Sequence, residues 1–219
     1  MTKQNTILSL IWILIFYSIL RYIPYGNIIL YPINLIVTFL HEFWHAFFAL
    51  ITGGSVLFID INHDGSGLAT TSGWISWIIL MWGYIGSAIF GNILLYIGLK
   101  NDNQLSKNIV YLIGGLFFLT AIFWFSDIIS SILQILLGTI LIFIAKRVSW
   151  SSFFLWFIWL ASLAYIIGDF RSGPSSDIAK FSDIFIIIPE FIWMYIWLSI
   201  VLIIVGMNLY IILRDASKK

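Results

Sequence analysis

Three residues in one short stretch have the types and spacing needed to hold a metal ion and use it. His41, Glu42 and His45 form an H-E-x-x-H sequence inside a mostly apolar stretch from Ile33 to Ile51. On a helix the two histidines lie on one face, one turn apart, which suits two ligands of a single zinc ion. Glu42 lies beside them, where it is free to take a proton from water at the metal. The pattern predicts a Zn2+ site with Glu42 as its catalytic base.

The apolar surroundings of the motif strengthen this prediction. The stretch is long enough for a membrane-spanning helix, and charged or imidazole side chains are costly in hydrocarbon. The alternative is a pair of core histidines, hydrogen-bonded to neighbouring helices, with a coincidental glutamate beside one of them. The spacing of the motif and its position within the helix favour the metal site.

The composition predicts a membrane protein with many spans. Hydrophobic residues make up 61% of the chain and charged residues only 10%, whereas a soluble domain carries roughly 25% charged residues. The net charge is +1 and the basic residues are scattered, so we expect no nucleic-acid binding. The chain has no cysteine, which excludes disulfides and thiolate ligands and leaves His, Asp, Glu or water to hold zinc.

Apolar stretches divide the chain into about six or seven transmembrane helices that form a single integral membrane domain, residues 1–219. The predicted fold is an all-α polytopic membrane protein with a short β-hairpin after the metal helix. We expect a polar loop at Lys100–Asn108 between two spans. The spans are expected at about Ile7–Leu20 with an extension to Ile23, Ile28–Ile51 (the metal helix), Trp74–Leu99, Ile109–Phe125, Ile128–Ala145, Ser152–Gly168 and Pro189–Leu213.

The β-hairpin is expected at about residues 54–72. Gly53 and Gly54 end the metal helix, the residues that follow are β-branched and aromatic, and Asn62-His63-Asp64-Gly65 is typical of a turn. We interpret His63 as a solvated turn residue. The hairpin is either a connecting loop or an edge to which an extended peptide can pair by strand addition.

The distribution of basic residues predicts the orientation. With seven spans, most Lys and Arg residues fall on one side of the membrane, which the positive-inside rule assigns to the cytoplasm. The N-terminus is then outside and the C-terminus inside. The C-terminal end of the metal helix, the hairpin and an aspartate-rich loop at about residues 169–188 share the outer side.

A third metal ligand is needed, because a catalytic zinc ion usually has three protein ligands and one open position. Asp127, Asp169, Asp177 and Asp183 all fall on the side nearest His45. We take Asp177 as the first candidate, although aspartate is also a common cap of a short helix. Asn92, a polar residue within the third span, is a candidate for substrate binding, and a helix–helix hydrogen bond is the other interpretation.

Together these features resemble the site-2 protease family of intramembrane zinc metalloproteases, in its compact bacterial-type form. The resemblance rests on the H-E-x-x-H sequence in a membrane helix, Thr52-Gly53-Gly54 after it, Asp64-Gly65-Ser66-Gly67 in the hairpin, the glycine-rich third span, and Ser176-Asp177-Ile178-Ala179. Better-known members carry the third ligand in a Leu-Asp-Gly motif within a late membrane helix. That motif does not occur here, and Asp177 is its nearest equivalent.

The resemblance implies a multi-pass protein of the bacterial cell membrane that cleaves a transmembrane protein substrate in or near the lipid bilayer. It implies His41 and His45 as zinc ligands and Glu42 as the catalytic acid and base. One alternative is a catalytically inactive or structural metal-binding scaffold that binds partner helices, but such a protein does not need a base at Glu42. Another is a small-molecule transporter. Internal repeats and paired broken helices would indicate a transporter, and the sequence shows neither.

Overall fold

Apolar segments form the long helices, and a more polar segment forms a short one. The computed structural model describes residues 3–100, 102–171 and 176–217. Within these residues, every helix except α7 is long and apolar enough to span a membrane, which gives seven spans and confirms the predicted fold class. In chain order the elements are α1 (Lys3–Tyr22), α2 (Gly26–Ile51), β1 (Ser55–Ile61), β2 (Gly67–Ser72), α3 (Ser76–Leu99), α4 (Asn103–Phe123), α5 (Ile128–Lys146), α6 (Val148–Arg171), α7 (Ser176–Ile184) and α8 (Glu190–Ala216).

Two segments that were predicted as loops are largely helical. α4 begins at Asn103 because the Asp102 carboxylate accepts a hydrogen bond from the Leu105 backbone N–H (3.0 Å) and caps the helix. The predicted polar loop of Lys100–Asn108 is therefore wrong over most of its length. The aspartate-rich segment at about residues 169–188 is also not one loop, because α6 continues to Arg171 and α7 follows from Ser176. Its residues 172–175 lie outside the described part of the chain.

The hairpin forms as predicted, but it runs back alongside α2. The Tyr31 hydroxyl donates a hydrogen bond to the His63 carbonyl (2.6 Å), and the Thr38 hydroxyl donates one to the Gly65 carbonyl (2.9 Å). Tyr31 precedes the end of α2 by about 20 residues, which is roughly 30 Å along a helix. The turn that contains His63 therefore lies beside the N-terminal half of α2, and not at the membrane face where the hairpin begins.

The outer edge of β1 is covered by the junction of α4 and α5. The Ile59 N–H donates to the Trp124 carbonyl (3.0 Å), the Ile61 N–H donates to Ser130 Oγ (2.8 Å), and the Gln134 amide donates to the Ile59 carbonyl (3.0 Å). Backbone polar groups at membrane depth must find partners within the protein. These bonds satisfy β1 and fix the hairpin between α2 and the α4–α5 pair.

Three clusters of buried apolar side chains hold the helices around the hairpin. The first joins α2 to the hairpin and to α3–α6, and at its centre Phe39 stacks on Phe117 with ring centroids 3.7 Å apart. The second packs α1 and α8 against α2, α3 and α6. The third packs α7 and α8 against α3 and α6, and it contains Ile178 and Phe181 of α7. Burial of these two side chains anchors the short helix beside the metal helix.

Candidate metal centre

The two histidines of α2 meet in the interior, as their spacing predicts. His41 and His45 are 2% and 5% exposed, and their Nε2 atoms lie 3.2 Å apart. The Nδ1 atom of His45 lies 2.8 Å from the Ile79 carbonyl oxygen. A carbonyl can only accept, so Nδ1 carries a proton in this contact, and Nε2 is the nitrogen that faces Asp177 and would ligate a metal. The His41 ring packs edge-on against the Tyr84 ring, with centroids 4.6 Å apart.

The first turn of α7 brings Asp177 to the two histidines. Its Oδ2 atom lies 3.3 Å from His41 Nε2 and 3.1 Å from His45 Nε2. Ligands at 2.0–2.1 Å from a tetrahedral zinc ion lie roughly 3.3–3.4 Å from one another. The three donor atoms therefore have the mutual spacing of one face of such a site, and among the described residues they form the group that could hold a metal ion.

The surroundings of Asp177 favour its ionised form. Burial alone raises the pKa of this carboxyl group, but the imidazoles of His45 and His41 outweigh burial and hold the pKa well below its usual range. Asp177 is therefore a carboxylate at neutral pH, which is the form that ligates metals.

The other three aspartates have different roles. Asp127 caps α5 by accepting hydrogen bonds from the backbone N–H groups of Ile129 and Ser130, and these bonds lower its pKa, that from Ser130 most. Asp169 lies near the end of α6 and accepts a hydrogen bond from the Tyr84 hydroxyl. Asp183 lies in the last turn of α7 and is exposed.

Glu42 lies beside the three donor atoms and is tied to the hairpin. The side chain is 7% exposed, and its Oε2 atom accepts a hydrogen bond from the Ala69 backbone N–H of β2 at 2.7 Å. Gly67 of β2 lies against Glu42 and Thr38, where a Cβ atom would come within 2.7 Å of both side chains. The absence of a side chain at Gly67 therefore lets the hairpin approach the motif closely.

A second glycine gives the histidines their space. Gly83 of α3 faces both rings, and a Cβ atom there would lie 2.8 Å from His41 Cε1 and closer still to the His45 ring. Small residues in a membrane helix usually let a neighbouring helix pack closely. The structure gives Gly83 the more specific role of leaving room for the imidazoles.

A cavity of about 720 Å³ opens onto these groups. The histidines, Glu42 and Asp177 lie on one wall, and β2 lines another from Gly67 to Thr71. Tyr84, Tyr165, Asp169 and Lys180 also line it, and of these only Asp169 is a candidate from sequence. They come from α3, α6 and α7, so no local pattern could have grouped them.

Asn92 does not line this cavity. It is 4% exposed, and its side-chain oxygen accepts hydrogen bonds from Trp159 Nε1 (3.3 Å) and from Asn208 Nδ2 (2.9 Å). Its own amide donates to the Ala88 carbonyl at 2.7 Å. These contacts join α3 to α6 and α8, so the structure favours the helix–helix interpretation over substrate binding.

The chain was also compared with known proteins. A family model described as Peptidase M50B-like matches residues 7–208, which is most of the chain and includes every residue of the site. Comparisons with curated proteins and with solved structures give no match.

Proposed function

Because the chain belongs to the Peptidase M50B-like family, and so to the site-2 proteases, we propose that it is a zinc metalloendopeptidase acting inside the membrane. It hydrolyses a peptide bond in or near a transmembrane segment of another membrane protein. Seven apolar helices make it a multi-pass integral membrane protein, and we propose the bacterial cell membrane as its location. By the positive-inside rule, the N-terminus and the cavity face outward.

One observation carries this proposal. Two elements that are separated by more than a hundred residues bring His41, His45 and Asp177 within 3.1–3.3 Å of one another, next to the buried Glu42. Without a cation, two imidazoles and a carboxylate so close together would be a polar cluster with little use in a membrane interior. The donor set is the nitrogen and oxygen set that zinc accepts.

His41, His45 and Asp177 would hold the zinc ion. Bound there, it would act as a Lewis acid on the scissile carbonyl and make water a stronger nucleophile at neutral pH. The carbonyl of Ile79 orients the His45 ring, and Gly83 keeps both rings free of steric contact. These surrounding contacts fix the direction in which the ligands point.

Glu42 would serve as the acid and base of the reaction. Its carboxylate takes a proton from the attacking water and passes it to the nitrogen of the leaving amine. The Ala69 N–H holds one carboxylate oxygen, Oε2. This bond orients the side chain and leaves the other oxygen for proton transfer.

The free edge of β2 would hold the substrate in an extended form. Ile59 and Ile61 direct their N–H groups away from β2, and their register partners Ala69 and Gly67 therefore turn their backbone groups away from β1. Glu42 takes the Ala69 N–H, so a substrate strand would pair with the other backbone groups of this edge. A helical substrate must unwind before its backbone can be attacked. A strand paired to this edge would lie beside Glu42 with its backbone satisfied.

Glu42→Gln tests this function against the alternative of an inactive scaffold. The variant keeps the size of the side chain and removes its proton acceptance, so we expect a loss of cleavage of roughly 10²-fold or more. The measurements are zinc per chain in the purified protein and a comparison of membrane-proteome fragments between wild-type and variant cells.

The controls separate loss of metal from loss of the base. His41→Ala and His45→Ala should lose both zinc and cleavage, whereas Glu42→Gln should keep its zinc. Equal fragment patterns in wild type and Glu42→Gln cells would favour the scaffold. Full zinc content in both histidine variants would refute the metal site itself.

A further inference from the structure

Two loops beside the cavity expose large apolar side chains. Trp74, in the loop between β2 and α3, is 96% exposed, and Ile186 and Ile187, in the loop between α7 and α8, are 87% and 95% exposed. The ring of Trp77, in the first turn of α3, packs against the ring of Phe185 in the second loop, with centroids 6.4 Å apart. We call these five residues the apolar rim.

The apolar rim adjoins the cavity. Gly73 and Ser76, which lie before and after Trp74 in the chain, line the cavity, and so does Ile184, which precedes Phe185. No ionisable residue lies between Ile184 and Pro189.

The rim continues the exposed apolar surface of α8. α8 follows directly, and its side chains Phe191, Tyr195 and Leu202 are 53%, 59% and 55% exposed. From Ile184 to Leu213 the chain contains only one charged residue, Glu190. This run is longer than the roughly 20 residues that cross the hydrocarbon of a bilayer, so there are enough residues for the span to begin after the rim and for the rim to lie at the membrane interface. Tryptophan, present here at two positions, is enriched in that zone.

We propose that the apolar rim is embedded in the outer leaflet of the lipid bilayer. The cavity then opens at the interface between lipid headgroups and hydrocarbon, and not into bulk water. The rim also seats the C-terminal end of α7 in the membrane, and α7 carries Asp177 in its first turn. This proposal concerns lipid contact alone, and it holds or fails independently of proteolysis.

The absence of cysteine from the chain makes a direct test possible. Ile187→Cys provides a single attachment site for the environment-sensitive dye NBD, and the full chain is reconstituted into phosphatidylcholine vesicles. Gln104→Cys is the control, because this exposed residue lies at the start of α4 among polar neighbours. Each labelled protein is titrated with iodide in the water on both sides of the membrane, because positions 104 and 187 lie on opposite sides, and, separately, with doxyl-labelled phosphatidylcholine in the membrane.

We expect the dye at position 187 to emit at shorter wavelength than the dye at position 104. The lipid-borne quencher should reduce its fluorescence strongly and iodide only weakly, with the reverse order at position 104. Ile186→Cys repeats the test if Ile187→Cys does not reconstitute. Iodide quenching at positions 187 and 186 as strong as at position 104, with little effect of the doxyl lipid, would overturn the proposal.

Discussion

Asp177 decides whether the histidines of α2 form a metal centre or only a buried pair. Its Oδ2 atom contacts both Nε2 atoms at 3.1–3.3 Å. Asparagine has nearly the same shape, but it lacks the negative charge of the ligand. Replacing the carboxylate by an amide therefore tests whether Asp177 is a metal ligand or only a helix cap, because Asn and Asp are about equally good at capping helices.

Loss of a residue that hydrogen-bonds to a metal ligand typically lowers metal affinity roughly 10–100-fold. Asp177→Asn alters a ligand itself, so zinc affinity should fall by more than this. The fold should be retained, since the side chain keeps its volume. Zinc per chain and competition with a chelator measure the effect. Asp183→Asn in the same helix and Asp127→Asn at the start of α5 are the matched controls, and both should bind zinc as the wild type does. Loss of zinc in the Asp127 variant alone would move the third ligand away from α7.

Local spacing made part of the site predictable. His41, Glu42 and His45 are close in sequence, so helix geometry alone placed them together. Asp177 is 132 residues from His45, and four aspartates satisfied the same topological argument. Only the packing of Ile178 and Phe181 into the third cluster selects among them, and that packing depends on distant helices.

At the level of elements, β2 positions the proposed base. The Ala69 N–H points away from β1 and holds Glu42 at 2.7 Å. Proline lacks this N–H and is tolerated on the edge of a sheet, where the missing donor breaks no ladder bond. The contact between hairpin and base can therefore be removed while both strands remain paired.

Ala69→Pro should reduce cleavage while zinc content stays close to that of the wild type, because Glu42 loses its anchor and the metal ligands do not. Leu68→Pro is the contrasting variant, since its N–H faces β1 and its loss should destabilise the hairpin. Thermal unfolding, zinc content and cleavage of one substrate fragment are measured for both. Unchanged cleavage in a folded Ala69→Pro protein would show that the bond to Glu42 has no positioning role.

Turn chemistry predicted that the hairpin forms, but not where it lies. The Asp64-Gly65 pair and the β-branched residues before it are local signals, and the strands follow them. The hydrogen bonds from Tyr31 and Thr38 hold the turn beside α2. No periodic pattern in the sequence indicates these bonds, so the position of the turn could not be predicted. The helix α7 was missed for a related reason, because nine residues with several polar side chains look like a loop in sequence.

At the level of the whole molecule, a polar contact fastens the last helix to the bundle. Asn208 of α8 donates hydrogen bonds to the side-chain oxygen (2.9 Å) and backbone carbonyl (3.1 Å) of Asn92, and Trp159 of α6 donates to the same side chain. α8 otherwise exposes most of its apolar surface. Interhelical hydrogen bonds in membranes contribute modestly, so each can be removed without unfolding the protein.

Asn92→Ala should destabilise the protein by about 1 kcal/mol and leave zinc content unchanged. Asn208→Ala should cost a similar amount, and the double variant should cost less than the sum, because both remove the same bond. Unfolding in mild detergent measures all three. A raised KM for substrate in Asn92→Ala, with stability unchanged, would instead support the substrate-binding interpretation.

The covering of β1 by α4 and α5 imposes an order on biosynthesis. Ser130, which accepts the Ile61 N–H, follows it by 69 residues, and at roughly 5–20 residues per second a ribosome needs roughly 3–14 s to add them. During this interval the N–H groups of Ile59 and Ile61 lack their partners in Trp124 and Ser130. Unpaired backbone N–H groups are costly in hydrocarbon, so the hairpin is not stable there. Insertion must therefore wait for the α4–α5 pair, so a nascent chain truncated before Trp124 should leave residues 55–72 open to added protease.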